Sequence, residues 1–174
     1  DVPHNVADLI QMMGGNDAFV SEMERMYSTP LGRSKYDFFA QIPDHTGNVG
    51  QFSMANEPCL HIPYLYNYAR QPWRTQKRIR TLLAQWFRND LMGVPGDEDG
   101  GGMTSFVVFS YLGFYPKYIQ SAKLNGKEWN RSWFTHDDLA KGGKLEFVMG
   151  DRPNKQWASS ADAVPPSFGW NQHK

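Results

Sequence analysis

Asp97, Glu98 and Asp99 stand in a row, with Gly96 before them and Gly100, Gly101 and Gly102 after, in the stretch "GDEDGGGM". Adjacent anions repel one another, and glycine gives up more backbone freedom on folding than any other residue. Such a loop needs a reason. Asp97 and Asp99, two apart, can converge on one point of an irregular loop while Glu98 points away. A converging ionised pair can act as a general base toward water, or offer hard oxygens to a cation. A plain solvated turn is the third reading, and spacing alone leaves all three open. Three familiar motifs are excluded. An EF-hand needs an acidic ligand at its twelfth position, where Val108 stands. A phosphate-cradling loop needs a lysine, and no HExxH-like pair accompanies the acids for zinc.

A second constellation is "NEPCLHIPYLYN", residues 56–67. Asn56 and Glu57 are oxygen donors of the kind calcium takes. They also read as a helix cap, Asn56 at the N-cap and Pro58 in the first turn. His61, among aromatics, suits a satisfied core histidine. His4 has no local partner that identifies a role.

The elements that must position these residues come next. "VADLIQMMGG" (6–15) places Leu9, Ile10 and Met13 on one helical face and stops at Gly14-Gly15. "NDAFVSEMERMYS" (16–28) opens on an Asn/Asp cap and spaces Phe19, Met23, Met26 and Tyr27 as a helix does. Residues 61–70, aromatic on nearly every side, predict a buried or cavity-lining helix. Residues 71–90 predict a helix starting at Pro72, with Ile79, Leu82, Leu83, Trp86 and Phe87 inward and Lys77, Arg78, Arg80 and Arg88 on a solvated face. "MTSFVVFSYLGFYP" (103–116) is apolar all round and predicts a fully buried helix. After Pro116 the texture turns to strands, with a hairpin at Asn125-Gly126, a strand over 144–150 behind the Gly142-Gly143 turn, and an extended Pro/Ser-rich tail. The chain thus reads as mainly α, residues 1–116, followed by a small antiparallel β region, residues 117–174.

Composition narrows the partners. The 174 residues carry 18 Lys+Arg and 18 Asp+Glu, so no basic surplus points to nucleic acid or anionic lipid. No apolar stretch approaches the roughly 20 residues that span a bilayer, no signal peptide opens the chain, and the lone Cys59 excludes an intrachain disulfide. Six Trp, eight Tyr and eleven Phe suit a core and also the stacking of flat rings on sugar C–H faces.

The order of "VPHN", "NEPCLHIPYLYNYARQPW", "GDEDGGGMTSFVVFS" and "KYIQSAKLNGKEWN" closely resembles glycoside hydrolase family 92, over residues 2 to about 168. The resemblance implies a Ca²⁺-dependent, exo-acting α-mannosidase that inverts configuration, acts on mannose-containing glycans and is secreted or periplasmic. It implies helices of a partial (α/α)₆ toroid followed by antiparallel strands. One of Asp97 and Asp99 would be the base. Asn56, Glu57 and His61 would face substrate, and Glu57 with Asp99 would meet the calcium.

Departures from the family pattern matter equally. The general acid is expected in an "EGNAWQY"-like segment upstream of "VPHN", and a longer β segment is expected between Pro116 and Lys117. Twelve toroid helices of about 12 residues with their loops need roughly 200 residues, and about five helices are legible here. The 174-residue chain is therefore expected to be inactive alone and to need the remainder of the catalytic domain or a homo-oligomer. The alternative is a non-catalytic carbohydrate-binding or structural remnant.

Overall fold

The structure, a computed structural model, describes residues 3–32, 34, 37, 43–111 and 118–168. Helix α1 (Val6–Met12) starts where the Asn5 side chain accepts the Asp8 amide at 3.3 Å and donates to the Asp8 carboxylate at 2.8 Å. It buries Val6 and Ile10 and stops at Gly14 and Gly15, whose φ values of 96° and 98° no other residue adopts cheaply. Helix α2 (Asn16–Ser28) follows at once and buries Phe19, Val20, Met23 and Tyr27. Its N-cap is Gly15, without a side-chain bond, so the expected Asn/Asp cap gives way to a glycine that lets two helices meet in a tight corner.

A short hairpin, β1 (Asn48–Val49) with β2 (Phe52–Ser53), sits on α2. The aromatic segment then forms two 3₁₀ turns, Glu57–Cys59 and Ile62–Asn67, in place of the expected helix. Bonds of the i→i+3 kind, such as Tyr64 N–H to His61 O at 3.0 Å, close these turns. Pro63, Leu65, Tyr66 and Asn67 are buried.

Helix α3 (Pro72–Trp86) buries Thr75, Gln76, Ile79, Leu82 and Leu83. It ends four residues before its expected limit because Asp90 closes a turn, accepting the Met92 amide, while the Arg88 amide bonds to Gly93. Its basic face is not simply solvated. Arg78, only 18% exposed, pairs with Glu24 at 3.1 Å and lies over the Tyr27 ring, and Arg80 lies over Tyr118. Lys77 and Arg88 do face solvent. Glu24 also accepts from Arg74 at 3.0 Å and from the Tyr66 hydroxyl at 2.9 Å. Burial, and then this hydrogen bond, push the Tyr66 phenol far above its usual range. Replacing Glu24 by alanine leaves three donors short of one acceptor. With 40% of the carboxylate exposed and screened, the expected cost is about 1–2 kcal/mol in a denaturant titration.

Helix α4 (Gly102–Phe109) departs from expectation. Met103 and Phe106 are buried, but Val108, Phe109 and Tyr111 are 53, 65 and 60% exposed. Only the face that meets Phe87 and Tyr64 is covered, so the apolar circumference is not a buried one here. The "LGFYPK" stretch, 112–117, lies outside the described residues.

The β region is a three-stranded antiparallel sheet of order β4-β3-β5, from β3 (Tyr118–Leu124), β4 (Lys127–Glu128) and β5 (Leu145–Gly150). Asn125 and Gly126, with φ of 52° and 79°, make the turn between β3 and β4, as their sequence announces. Between β4 and β5 lies a short helix, α5 (His136–Ala140), that the sequence reading passed over. Its signal was present as Thr135 and Asp138, which form a reciprocal capping box. The tail is not merely extended: Ala161–Ala163 is a 3₁₀ turn. Trp157, Ala158 and Ala163 pack with Ile119 and Ala122 as a second core, and the Phe168 amide bonds to His4 O at 3.1 Å. The sheet meets the helices through α3, where Gln76 accepts the buried Ile119 amide at 3.0 Å.

Candidate active site

Residues 41 and 45 apart in sequence touch at the two ends of the acidic loop. A β-carbon placed on Gly96 would stand 2.6 Å from Ala55 Cβ and 2.8 Å from Ala55 O, and one on Gly102 would stand 3.2 Å from Glu57 Cγ. Bare backbone at both places lets the loop lie flat on residues 55–57. Ala55 and Met54 beneath it are wholly buried. The loop itself turns through left-handed backbone at Gly96, Asp99, Gly100 and Gly101, of which Asp99, at φ 48°, is the one with a side chain to strain. Two of the glycines are therefore explained by contact and the others by turning.

Glu98 has a definite task. Its carboxylate accepts the Gly101 amide at 2.6 Å, the Thr104 amide at 3.1 Å and the Thr104 hydroxyl at 2.5 Å, covering the open N-terminus of α4. The Thr104 hydroxyl first, then the Thr104 and Gly101 amides, hold its pKa below the ordinary 4.5. A depressed carboxylate binds fewer protons folded than unfolded. Its stabilising contribution is complete above pH 4.5 and is lost as pH falls through the lowered value. Amide exchange at Thr104 should therefore accelerate, relative to the α3 interior, as the solution is acidified below that point. Unchanged relative protection would show that Glu98 does not hold the turn.

Of the residues singled out from sequence, Asp97 and Asp99 are exposed, while Asn56, Glu57 and His61 are half-buried. Asn56 precedes the first 3₁₀ turn without a side-chain cap bond, so the capping role is not filled. Glu57 Oε1 is buried and has no hydrogen-bond partner among the described residues. Such an orphan acceptor is costly unless something electropositive is meant to meet it. The ionisable side chain that feels it is the Cys59 thiol, whose pKa burial first and then Glu57 push up. Among the described residues, however, no three of His, Cys, Asp or Glu lie together closely enough to hold a metal. What sequence reasoning missed is the Glu98–Thr104 cap and the two glycine contacts. An acid beside a helix start was the visible sign of the first, and nothing local marked the second.

The sequence model of the glycosyl hydrolase family 92 catalytic domain matches residues 1–117 and 116–151. The chain belongs to glycosyl hydrolase family 92. An uncharacterized secreted glycosidase of Arthroderma benhamiae is 28% identical over 209 residues, using 97% of this chain and 24% of the relative. Among solved structures, the family 92 α-mannosidase of Bacteroides thetaiotaomicron, in complex with mannoimidazole, superposes with a TM-score of 0.83. It is 30% identical and is matched over 96% of this chain and 26% of its own. An inverting family 92 mannosidase of the same species gives 0.74 at 29% identity, over 94% of this chain and 28% of its own. This family 92 chain thus spans about a quarter of the length of these relatives. The 209-residue alignment, longer than the chain, means gaps against the Arthroderma protein, and the family match itself breaks at residues 116–117, where the sequence reading placed its jump.

Proposed function

We propose that this family 92 segment supplies the base-side wall of an inverting, Ca²⁺-dependent exo-α-mannosidase. The observation that supports it is the close approach of Glu57 to Gly102 at the start of α4, which sets residues 55–57 against the two ends of the acidic loop. In inversion one carboxylic acid protonates the leaving oxygen while a carboxylate across the ring draws a proton from water. Asp97 or Asp99 takes that proton. Glu98 does not, because its oxygens are already spent on α4. Asn56 and His61 orient sugar hydroxyls. The acid comes from a segment outside these 174 residues, and the other helices of the (α/α)₆ toroid with it. The secreted Arthroderma relative supports an exported protein.

Glu57, with Asp99 as the second protein oxygen, would hold the calcium. When bound, the ion polarises mannose hydroxyls and favours a distorted ring. Calorimetry on a full-length family enzyme carrying this segment should show Ca²⁺ affinity falling about tenfold or more on Glu57→Gln, since a formal charge leaves the ligand set. Unchanged affinity would remove Glu57 from the ion.

The deciding assay is hydrolysis of an aryl α-mannoside with and without chelator. The full-length enzyme should lose activity with chelator, and the 174-residue chain should have none. Tight mannose binding by a full-length protein that never hydrolyses would establish the rival reading, a carbohydrate-binding remnant.

A further inference from the structure

The second core carries a groove that the mannosidase reading does not use. It has a volume of about 310 Å³ and lies between β3, β4 and the 154–157 turn. None of its lining residues belongs to 56–61 or to the acidic loop. Its size stands at the low end of small-molecule sites, about 300–1,000 Å³, so it suits one small ring and not a chain of them.

The groove's frame is fixed by hydrogen bonds. Asn154 donates to Gln120 O at 2.8 Å and accepts the Gln156 and Trp157 amides at 2.9 and 3.2 Å. The Trp157 indole donates to Trp129 O at 3.2 Å, and Asn130 Oδ1 accepts the Ala158 amide at 2.7 Å. What the frame leaves over is a mixed set of polar groups. The Ser121 hydroxyl, the Glu128 carboxylate and the Gln156 carboxamide have no hydrogen-bond partner among the described residues, and all three residues are exposed at the groove. The Asn130 NH₂ has no hydrogen-bond partner among the described residues. The edges of Trp129 and of the buried Trp157 supply apolar wall, Trp129 being held by stacking on Phe134 at 5.4 Å, with Arg131 5.6 Å from its ring centre, and the Trp129 indole N–H is buried with no acceptor among the described residues.

A ligand that matches this set must donate to a carboxylate, exchange bonds with a hydroxyl and two carboxamides, and lay C–H surface on indole. It carries no net charge, since Glu128 repels an anion and one carboxylate without a second acid makes a poor cation cage. Vicinal hydroxyls on a pyranose meet each requirement. We propose that this groove is a carbohydrate-binding site for a single neutral hexopyranose, read by Glu128, Gln156, Ser121 and Asn130 and walled by Trp129. The frame is made before the sugar arrives, so little ordering is needed on binding.

The proposal does not depend on hydrolysis, and its test is kept apart from it. Methyl α-D-mannopyranoside and methyl β-D-glucopyranoside are titrated into the 174-residue chain while amide and indole resonances are followed by NMR. Saturable shifts are expected at 120–130 and 154–157, including the Trp129 indole, with at least one of the two sugars. Glu128→Ala and Gln156→Ala change exposed side chains that the fold does not use, and each should weaken binding about tenfold, the worth of one hydrogen bond to a charged or well-placed group. Asp97→Asn and Glu57→Gln should leave the groove shifts unchanged. Absence of saturation up to about 100 mM of both sugars would overturn the proposal. Shifts confined to 56–61 and 96–102 would overturn it too, as would groove binding that survives both groove variants. None of these results bears on whether aryl mannosides are cleaved.

Discussion

Replacing whichever of Asp97 and Asp99 is the base by asparagine should lower kcat on an aryl α-mannoside by about 100- to 10,000-fold in a full-length family 92 enzyme carrying this loop, with KM little changed. General-base assistance is worth that much, and asparagine preserves shape while removing the proton acceptor. The two aspartates are separable by pH. The variant of the true base loses the acidic limb of the kcat/KM profile, whereas the variant of its neighbour keeps that limb at a lower plateau. Glu98→Gln behaves differently again. Its carboxylate is committed to Gly101 and Thr104, so the variant should lose thermal stability of the loop and less than about tenfold of kcat at neutral pH. A loss at Glu98 equal to that at both aspartates would overturn the assignment.

The stretches most legible in sequence were those whose instructions are local. The Gly14-Gly15 stop, the apolar spacing of α2 and α3 and the Asn125-Gly126 turn all rest on backbone preference or helical period, and each element is present, although α3 stops four residues short and α2 is capped by Gly15. Illegible features depend on what another segment offers. Nothing around Arg78 says that Glu24 and Tyr27 will meet it. Nothing in the apolar run of α4 says that Val108 and Phe109 will stand exposed among the described residues. Pro58 and Pro63 stand where the first turn of an α-helix also takes proline, so nothing local told a 3₁₀ turn from a helix there. For the site, the acids and the NEP stretch stood out by composition, yet their juxtaposition came from two glycines whose partners are some 40 residues away. A glycine selected for close approach looks, in sequence, like a glycine selected for a turn.

That distinction can be measured on the loop itself. Gly100→Ala meets nothing within 4 Å and has φ 69°, so it carries only the left-handed backbone penalty, about 1–2 kcal/mol. Gly96→Ala carries that penalty at φ 67° and also drives a methyl into Ala55 at 2.6 Å. Overpacking against a fully buried neighbour adds about 1–3 kcal/mol, for a total of roughly 2–5 kcal/mol by chemical denaturation. Gly50→Ala serves as the control. Its methyl would collide with the carbonyls of Met26 and Tyr27 at 2.5 Å, destabilising the fold by a similar amount without touching Glu57. If the acidic loop and residues 55–57 form one site, Gly96→Ala must weaken Ca²⁺ binding in the full-length enzyme beyond what Gly50→Ala does at matched stability. Ala55→Gly in the Gly96→Ala background removes the carbon-to-carbon clash but leaves the Ala55 carbonyl 2.8 Å from the new methyl. It should therefore restore part of the lost stability, and the two changes should be non-additive. Strict additivity, with calcium affinity equal in the Gly96→Ala and Gly50→Ala proteins, would mean that the loop and the NEP segment do not act together, and the base and the cation would then have to be sought apart.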